Sequence, residues 1–196
     1  GADAGLSVTP YYNRPTQEGL YQHFKAIAEA VDFPQILYNV PKRTGCDMST
    51  DTVKRLAEVG NITGLKDATG DLRRARQQRY DCGADFALYS GDDYTTLDFI
   101  LLGGDGAISV TANIAPNAMH TMCHLALSGD RKAAENIDNK LVGLHQNLFI
   151  EASPCPTKWA LQVQGLIGEG IRLPIVPLSE ASQEIVRQSM QQAGVL

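Results

Sequence analysis

Asn61-Ile62-Thr63-Gly64-Leu65-Lys66-Asp67-Ala68-Thr69-Gly70 is a short apolar run that passes directly into turn residues and delivers a primary amine where the two meet. The β-branched and aliphatic residues favour a strand and the Ala-Thr-Gly turn stops it. Lys66 therefore stands at a strand's C-terminal end, where α/β proteins place their chemistry. One unit upstream, Gln35-Ile36-Leu37-Tyr38-Asn39-Val40-Pro41-Lys42-Arg43-Thr44-Gly45 has the same form and brings a phenol and a guanidinium to the same end.

Working outward, β-like runs are expected at Leu6 to Thr9, Gln35 to Asn39, Ile62 to Lys66, Phe86 to Ser90 and Ala107 to Val110. A helical pattern follows each. Thr16 is a plausible N-cap before Leu20, Phe24, Ile27 and Val31, and Ser49 or Thr50 opens Val53, Leu56 and Ala57. Thr69-Gly70-Asp71 leads into Leu72 and Ala75, Gly91-Asp92-Asp93 into Leu97, Ile100 and Leu101, and Ala115-Pro116 into Ala118, Met122 and Leu125. Strand ends recurring roughly every 20 to 30 residues imply βα units with a parallel sheet and right-handed crossovers. The fold class is α/β over residues 1–128. From Gly129 onward helices stand alone, at Ala133 to Phe149, Thr157 to Gln164 and Ser179 to Gln192, and residues 129–196 read as a helical appendage. A closed (β/α)8 barrel needs eight strands and only five are found. An open doubly wound sheet would need a Gly-rich turn after an early strand, and Thr9-Pro10-Tyr11-Tyr12 is not one.

The 196 residues are 43% hydrophobic with a formal charge of −5, an ordinary globular composition that excludes a general nucleic-acid or anionic-membrane binder. No run approaches the roughly 18 apolar residues of a membrane span. Cys46, Cys82, Cys123 and Cys155 are widely spaced with no C-x-x-C pair, which fits reduced thiols of a cytoplasmic protein rather than a disulfide framework or zinc site.

Schiff-base chemistry on an acidic carbonyl compound is what an amine, a phenol and a guanidinium at one strand-end face suggest. Only a neutral amine adds to a ketone, and burial disfavours the charged form of lysine. If Lys66 points inward, Leu65 and Asp67 point to the helix layer, and Gly64 is expected to leave room near the amine. Taken alone, the segment favours a lysine snorkelling at a strand end, and the neighbouring segments reverse that preference. Tyr38 can pass a proton to a departing carbinolamine hydroxyl, although it can also be a half-buried strand aromatic. Arg43, on the loop beyond Tyr38, can hold a carboxylate with two parallel hydrogen bonds, while Lys42 faces water. Tyr11 and Tyr12 are adjacent aromatics on a stiff turn, suited to an interface or to packing on the next loop.

Other candidates have plainer readings. Asp92 and Asp93 are better placed to N-cap a helix than to bind a metal. Gly103-Gly104-Asp105-Gly106 precedes a strand and is a turn on the opposite face. His120 and His124 have i, i+4 spacing but no third metal ligand. Arg73, Arg74, Arg76 and Arg79 read as a solvated outer helix face. Lys158, beside Trp159, is a second amine without strand-end context.

Val8-Thr9-Pro10-Tyr11-Tyr12-Asn13-Arg14-Pro15, the Leu37 to Gly45 segment, Gly64-Leu65-Lys66-Asp67-Ala68-Thr69-Gly70 and Tyr89-Ser90-Gly91-Asp92-Asp93 together resemble the 4-hydroxy-tetrahydrodipicolinate synthase (dihydrodipicolinate synthase) family. The likeness extends over essentially the whole chain and corresponds to that family's C-terminal two-thirds. It implies strands four to eight of a (β/α)8 TIM barrel, followed by helices. It further implies a cytoplasmic homotetramer, a dimer of dimers, that condenses pyruvate with L-aspartate 4-semialdehyde on the way to lysine and diaminopimelate, with no cofactor or metal. By matching motifs, Lys66 would form the pyruvate Schiff base and Tyr38 would transfer protons. Arg43 would bind the semialdehyde carboxylate, and Ile108 and Gly91 would line the pyruvate pocket. Tyr12 resembles the tyrosine that completes a neighbouring subunit's proton relay, and Tyr11 the tyrosine near the lysine-inhibitor site.

Two departures stand out. Asp67 replaces the family's usual glutamate, and the Gly-Thr-Thr-Gly-Glu segment, whose threonines bind the pyruvate carboxylate and link Tyr38 to Tyr12, is not in this chain. The chain by itself is therefore expected to be inactive. The alternatives are another pyruvate-dependent aldolase, similar to N-acetylneuraminate lyase, and a non-catalytic homologue that only associates with intact subunits.

Overall fold

In a computed structural model all 196 residues are described. Five parallel strands lie in the order β1-β2-β3-β4-β5, sequential in the chain, as expected for repeated right-handed βα units. They are β1 (Gly5–Val8), β2 (Gln35–Asn39), β3 (Ile62–Asp67), β4 (Ala87–Ser90) and β5 (Gly106–Ala107). The helices between them are α1 (Gln17–Ala30), α2 (Pro41–Thr44), α3 (Thr50–Ala57), α4 (Leu72–Cys82) and α5 (Thr96–Leu101). Four further helices, α6 (Pro116–Leu127), α7 (Arg131–Asn147), α8 (Cys155–Val163) and α9 (Glu180–Gln192), complete the chain.

The caps follow the local chemistry read from the sequence. Thr16, Ser49 and Asp71 accept hydrogen bonds from the first-turn amides of α1, α3 and α4, and Asp92 does the same for the short 3-10 turn Asp93–Thr95. Two local expectations are corrected. The stretch expected as a loop after Tyr38 contains the helical turn α2, because Pro41 pre-sets φ at its first position. The fifth strand is shorter than Ala107 to Val110: it ends at Ala107, and Val110 already has helical dihedrals before the 3-10 turn Thr111–Asn113. β5 is an edge strand paired only with β4, so no second neighbour holds its continuation extended.

The chain divides into two compact units, Gly1–Ile108 and Ser109–Leu196. α6 is topologically the helix after β5, yet it packs against α7 in the second unit. The core of that unit is aliphatic, including Met122, Leu141, Leu144, Leu148 and Met190, all fully buried. Buried among the helices, His145 Nδ1 lies 2.9 Å from Thr111 Oγ1 and its Nε2 lies 3.3 Å from Asp138 Oδ1.

In the first unit, side-chain alternation gives the sheet two unlike faces. Leu37, Leu65 and Leu88 are buried beneath the helix layer with Leu20, Phe24, Val53 and Leu56. The opposite face, carrying Leu6 (46% exposed), Val8 (38% exposed), Tyr38 and Lys66, has no layer over it and remains partly open. That open face carries the candidate residues Tyr38 and Lys66.

Candidate active site

Strand register brings the site together. Tyr38, Lys66 and Tyr89 are direct partners across β2, β3 and β4, so the three side chains share one level on the open face. Lys66 Nζ lies 4.1 Å from the centroid of the Tyr38 ring, a cation–π distance when the amine is charged. Burial lowers the Lys66 pKa below the ordinary lysine value; the Asp93 carboxylate opposes that shift and the Arg43 guanidinium adds to it. Burial raises the Tyr38 phenol, with Arg43 pulling the other way. The arrangement supplies a lysine closer to its nucleophilic free base and a phenol that keeps its proton until a base claims it.

Space beside the amine comes from a different glycine than the sequence suggests. A Cβ on Gly91 would lie 2.8 Å from Lys66 Cε and 2.9 Å from Ala68 Cβ, so the side chain of Lys66 runs across this bare backbone. Gly64 serves the sheet instead: a Cβ there would lie 2.7 Å from the Ala87 carbonyl oxygen. Gly91 is held by its own amide, which donates to the Asp67 carbonyl at 2.8 Å. Ile108 donates its amide to the Ser90 carbonyl at 2.9 Å, which leaves its carbonyl as the backbone group to offer a ligand.

The remaining expected residues are placed less uniformly. Arg43 sits on α2 with an exposed guanidinium that makes no hydrogen bond within the chain, although its charge is felt by both Lys66 and Tyr38. Tyr11 and Tyr12 project from the turn after β1, 69% and 94% exposed, with Tyr12 at φ 63°, a left-handed conformation unusual for an aromatic residue. Neither touches Lys66 or Tyr38 in this chain. Asp92 caps its helical turn as expected, while Asp93, 3% exposed, is a charge neighbour of Lys66 that sequence reading assigned only to capping. Tyr89 was also missed. Its strand register was the available signal, since it falls opposite Lys66 once Leu65 and Leu88 are aligned as core residues.

The basic helix is only partly a solvated face. Arg79 donates to the carbonyls of Gly103, Gly83 and Phe86 and pairs with Asp105, whose carboxylate also accepts from the Leu88 amide. Arg74 is likewise engaged, with Asp47 and the Met48 carbonyl. The second amine, Lys158, lines a cavity of about 660 Å³ among α8 and the residues following it, but no tyrosine or arginine shares that lining. The cysteines are free, and burial together with Asp81 pushes the Cys82 thiol up to about 11. No helix is long and apolar enough to cross a membrane.

Comparison with known proteins finds relatives along the whole chain. A model of the dihydrodipicolinate synthetase family matches residues 1–193. The 4-hydroxy-tetrahydrodipicolinate synthase of Alcanivorax borkumensis is 62% identical over 196 residues, covering 100% of this chain and 67% of the relative. That of Pseudomonas aeruginosa is 60% identical with the same coverage. The solved dihydrodipicolinate synthase from Acinetobacter baumannii, described as chloride inhibited and complexed with pyruvate, superposes with a TM-score of 0.98 at 56% identity, again over 100% of this chain and 67% of the other. A Thermotoga maritima dihydrodipicolinate synthase gives 0.96 at 40% identity. The chain thus spans about two thirds of the length of its relatives, 67% of the first and 66% of the second.

Proposed function

We propose, because the chain belongs to the dihydrodipicolinate synthetase family, that it carries the Schiff-base centre of a synthase that condenses pyruvate with L-aspartate 4-semialdehyde. The observation that carries this reading is the pairing of Lys66 with Tyr38 across adjacent strands, with the lysine pKa lowered by burial.

The Lys66 amine adds to the C2 carbonyl of pyruvate, and the oxygen leaves as water after taking a proton from the Tyr38 phenol, which recovers one from the nitrogen. Shift of a methyl proton to the imine nitrogen gives an enamine. Its carbon attacks the aldehyde of the semialdehyde while the aldehyde oxygen takes up the enamine N–H proton, restoring the imine; the semialdehyde's own amino group then adds to the imine carbon and expels the Lys66 amine, closing the ring. The Arg43 guanidinium, which makes no hydrogen bond within the chain, receives the semialdehyde carboxylate through paired N–H···O bonds. Gly91 and the Ile108 carbonyl border the pyruvate. Tyr12, nearly fully exposed, reaches the relay of a neighbouring subunit, and Tyr11 beside it lies at the same interface, in a dimer of dimers working in the cytoplasm.

Coupled assays with aspartate semialdehyde and, in parallel, N-acetylneuraminate test the reading in a protein that also carries the remaining third found in the relatives. Turnover of the semialdehyde is expected; turnover of the sugar acid alone would contradict it.

A further inference from the structure

The Arg43 guanidinium makes no hydrogen bond within the chain, so α2 and the loop that follows it must set its position. That loop is fastened at a definite place. Asn39, fully buried at the end of β2, donates Nδ2 to Asp47 Oδ1 at 2.8 Å and accepts the Met48 amide on Oδ1 at 3.0 Å. From the other side, Arg74 on α4 donates Nη1 to Asp47 Oδ2 at 2.9 Å and Nη2 to the Met48 carbonyl at 2.6 Å. Each oxygen of Asp47, and each backbone polar group of Met48, is therefore held by a different element. The third nitrogen of Arg74, Nε, is buried without a hydrogen bond and faces Asp67 Oδ2 at 3.7 Å. Asp67 is itself 5% exposed, anchored by the Thr69 amide at 2.8 Å and by Gln78 Nε2 at 2.9 Å.

Register gives this arrangement its meaning. Asn39 and Asp67 are partners across β2 and β3, one position beyond the partners Tyr38 and Lys66. The guanidinium thus spans the loop that carries Arg43 and the carboxylate adjoining Lys66. A loose surface ion pair would not behave this way: the Arg74 side chain is only 19% exposed and uses the fixed fork that a lysine lacks.

We infer that Arg74 is a positioning residue which, through Asp47 and Met48, fixes the Arg43 loop against the strand end of Lys66 and so sets where the second substrate's carboxylate is held. The inference rests on the function proposed above and assigns to Arg74 a role in recognition of the semialdehyde rather than in Schiff-base formation.

Arg74→Lys keeps the positive charge near Asp47 and Asp67 but cannot span Asp47 and Met48 together; Asp47→Asn removes the other half of the clamp. Both are made in the protein completed with the N-terminal third of its relatives, and folding is checked by circular dichroism. Each is expected to raise the KM for aspartate semialdehyde about tenfold, within the range that small misplacements produce, while the KM for pyruvate changes less than about twofold. Borohydride trapping of pyruvate on Lys66 still goes to completion at alkaline pH. Its acid limb moves to higher pH, since Arg43 contributes to lowering the Lys66 pKa. A parallel rise in both KM values, or an unchanged KM for the semialdehyde in a folded Asp47→Asn protein, overturns the clamp. Failure of the unsubstituted protein to trap pyruvate on Lys66 overturns the function itself and the clamp with it.

Discussion

Lys66 and Tyr38 face each other across adjacent parallel strands, with the amine 4.1 Å from the phenol ring centroid. Because both lie on rigid strands rather than loops, their separation is set by sheet geometry, and what remains adjustable is the charge around them. Arg43 and Asp93 act on Lys66 with opposite sign.

That opposition predicts two shifts in opposite directions. Arg43→Gln removes a cation and should move the acid limb of Lys66 trapping to higher pH; Asp93→Asn removes an anion and should move it to lower pH. Trapping rates measured across pH check both. An unmoved acid limb in both variants would mean that burial alone tunes the amine.

The same lowered pKa has a sign for stability. Between the depressed folded pKa of Lys66 and the higher unfolded value, the unfolded chain holds a proton that the folded chain has released. The residue's contribution therefore rises with pH across that window, and its penalty is fully present below the folded pKa. Lys66→Met should be more stabilising at neutral than at strongly alkaline pH, as read by urea melts at the two pH values.

Gly91→Ala inserts a methyl 2.8 Å from Lys66 Cε and 2.9 Å from Ala68 Cβ. Displacement of the amine by a fraction of an ångström to an ångström should slow pyruvate trapping about 100-fold, with little change in circular dichroism. Gly64→Ala should instead lower the melting temperature, because its clash is with the Ala87 carbonyl of the next strand.

Arg79→Ala removes hydrogen bonds to three carbonyls and the pairing with Asp105, most of them open to water, so the freed groups rehydrate. The expected cost is about 0.5–1.5 kcal/mol of stability, measured by denaturant unfolding.

How far these features can be read from sequence depends on how local their causes are. The strand ends at Asn39 and, to within one residue, at Asp67, and the caps at Thr16, Ser49 and Asp71, depend on a few neighbouring residues, and the pattern reveals them. Arg74 and Arg79 look like surface residues of a polar helix because their partners, Asp47 and Asp105, come from other βα units. Gly64 and Gly91 look alike to local pattern, although the family resemblance singles out Gly91; the pairing of β3 with β4 and the path of the Lys66 side chain give the physical reason their roles differ. The end of β5 depends on having one neighbouring strand rather than two. Tyr89 and Asp93 enter the site through register and burial, neither of which a single strand segment announces.

The central claim is that Lys66 is the amine that captures pyruvate. Incubation with pyruvate, borohydride reduction and peptide mass spectrometry test it directly, on this chain and on the protein completed with the N-terminal third of its relatives. The completed protein should carry the reduced pyruvate adduct on the peptide containing Lys66, and Lys66→Ala should abolish it. An adduct on Lys158 or Lys42 instead, or none at all in the folded, completed protein, would contradict the account.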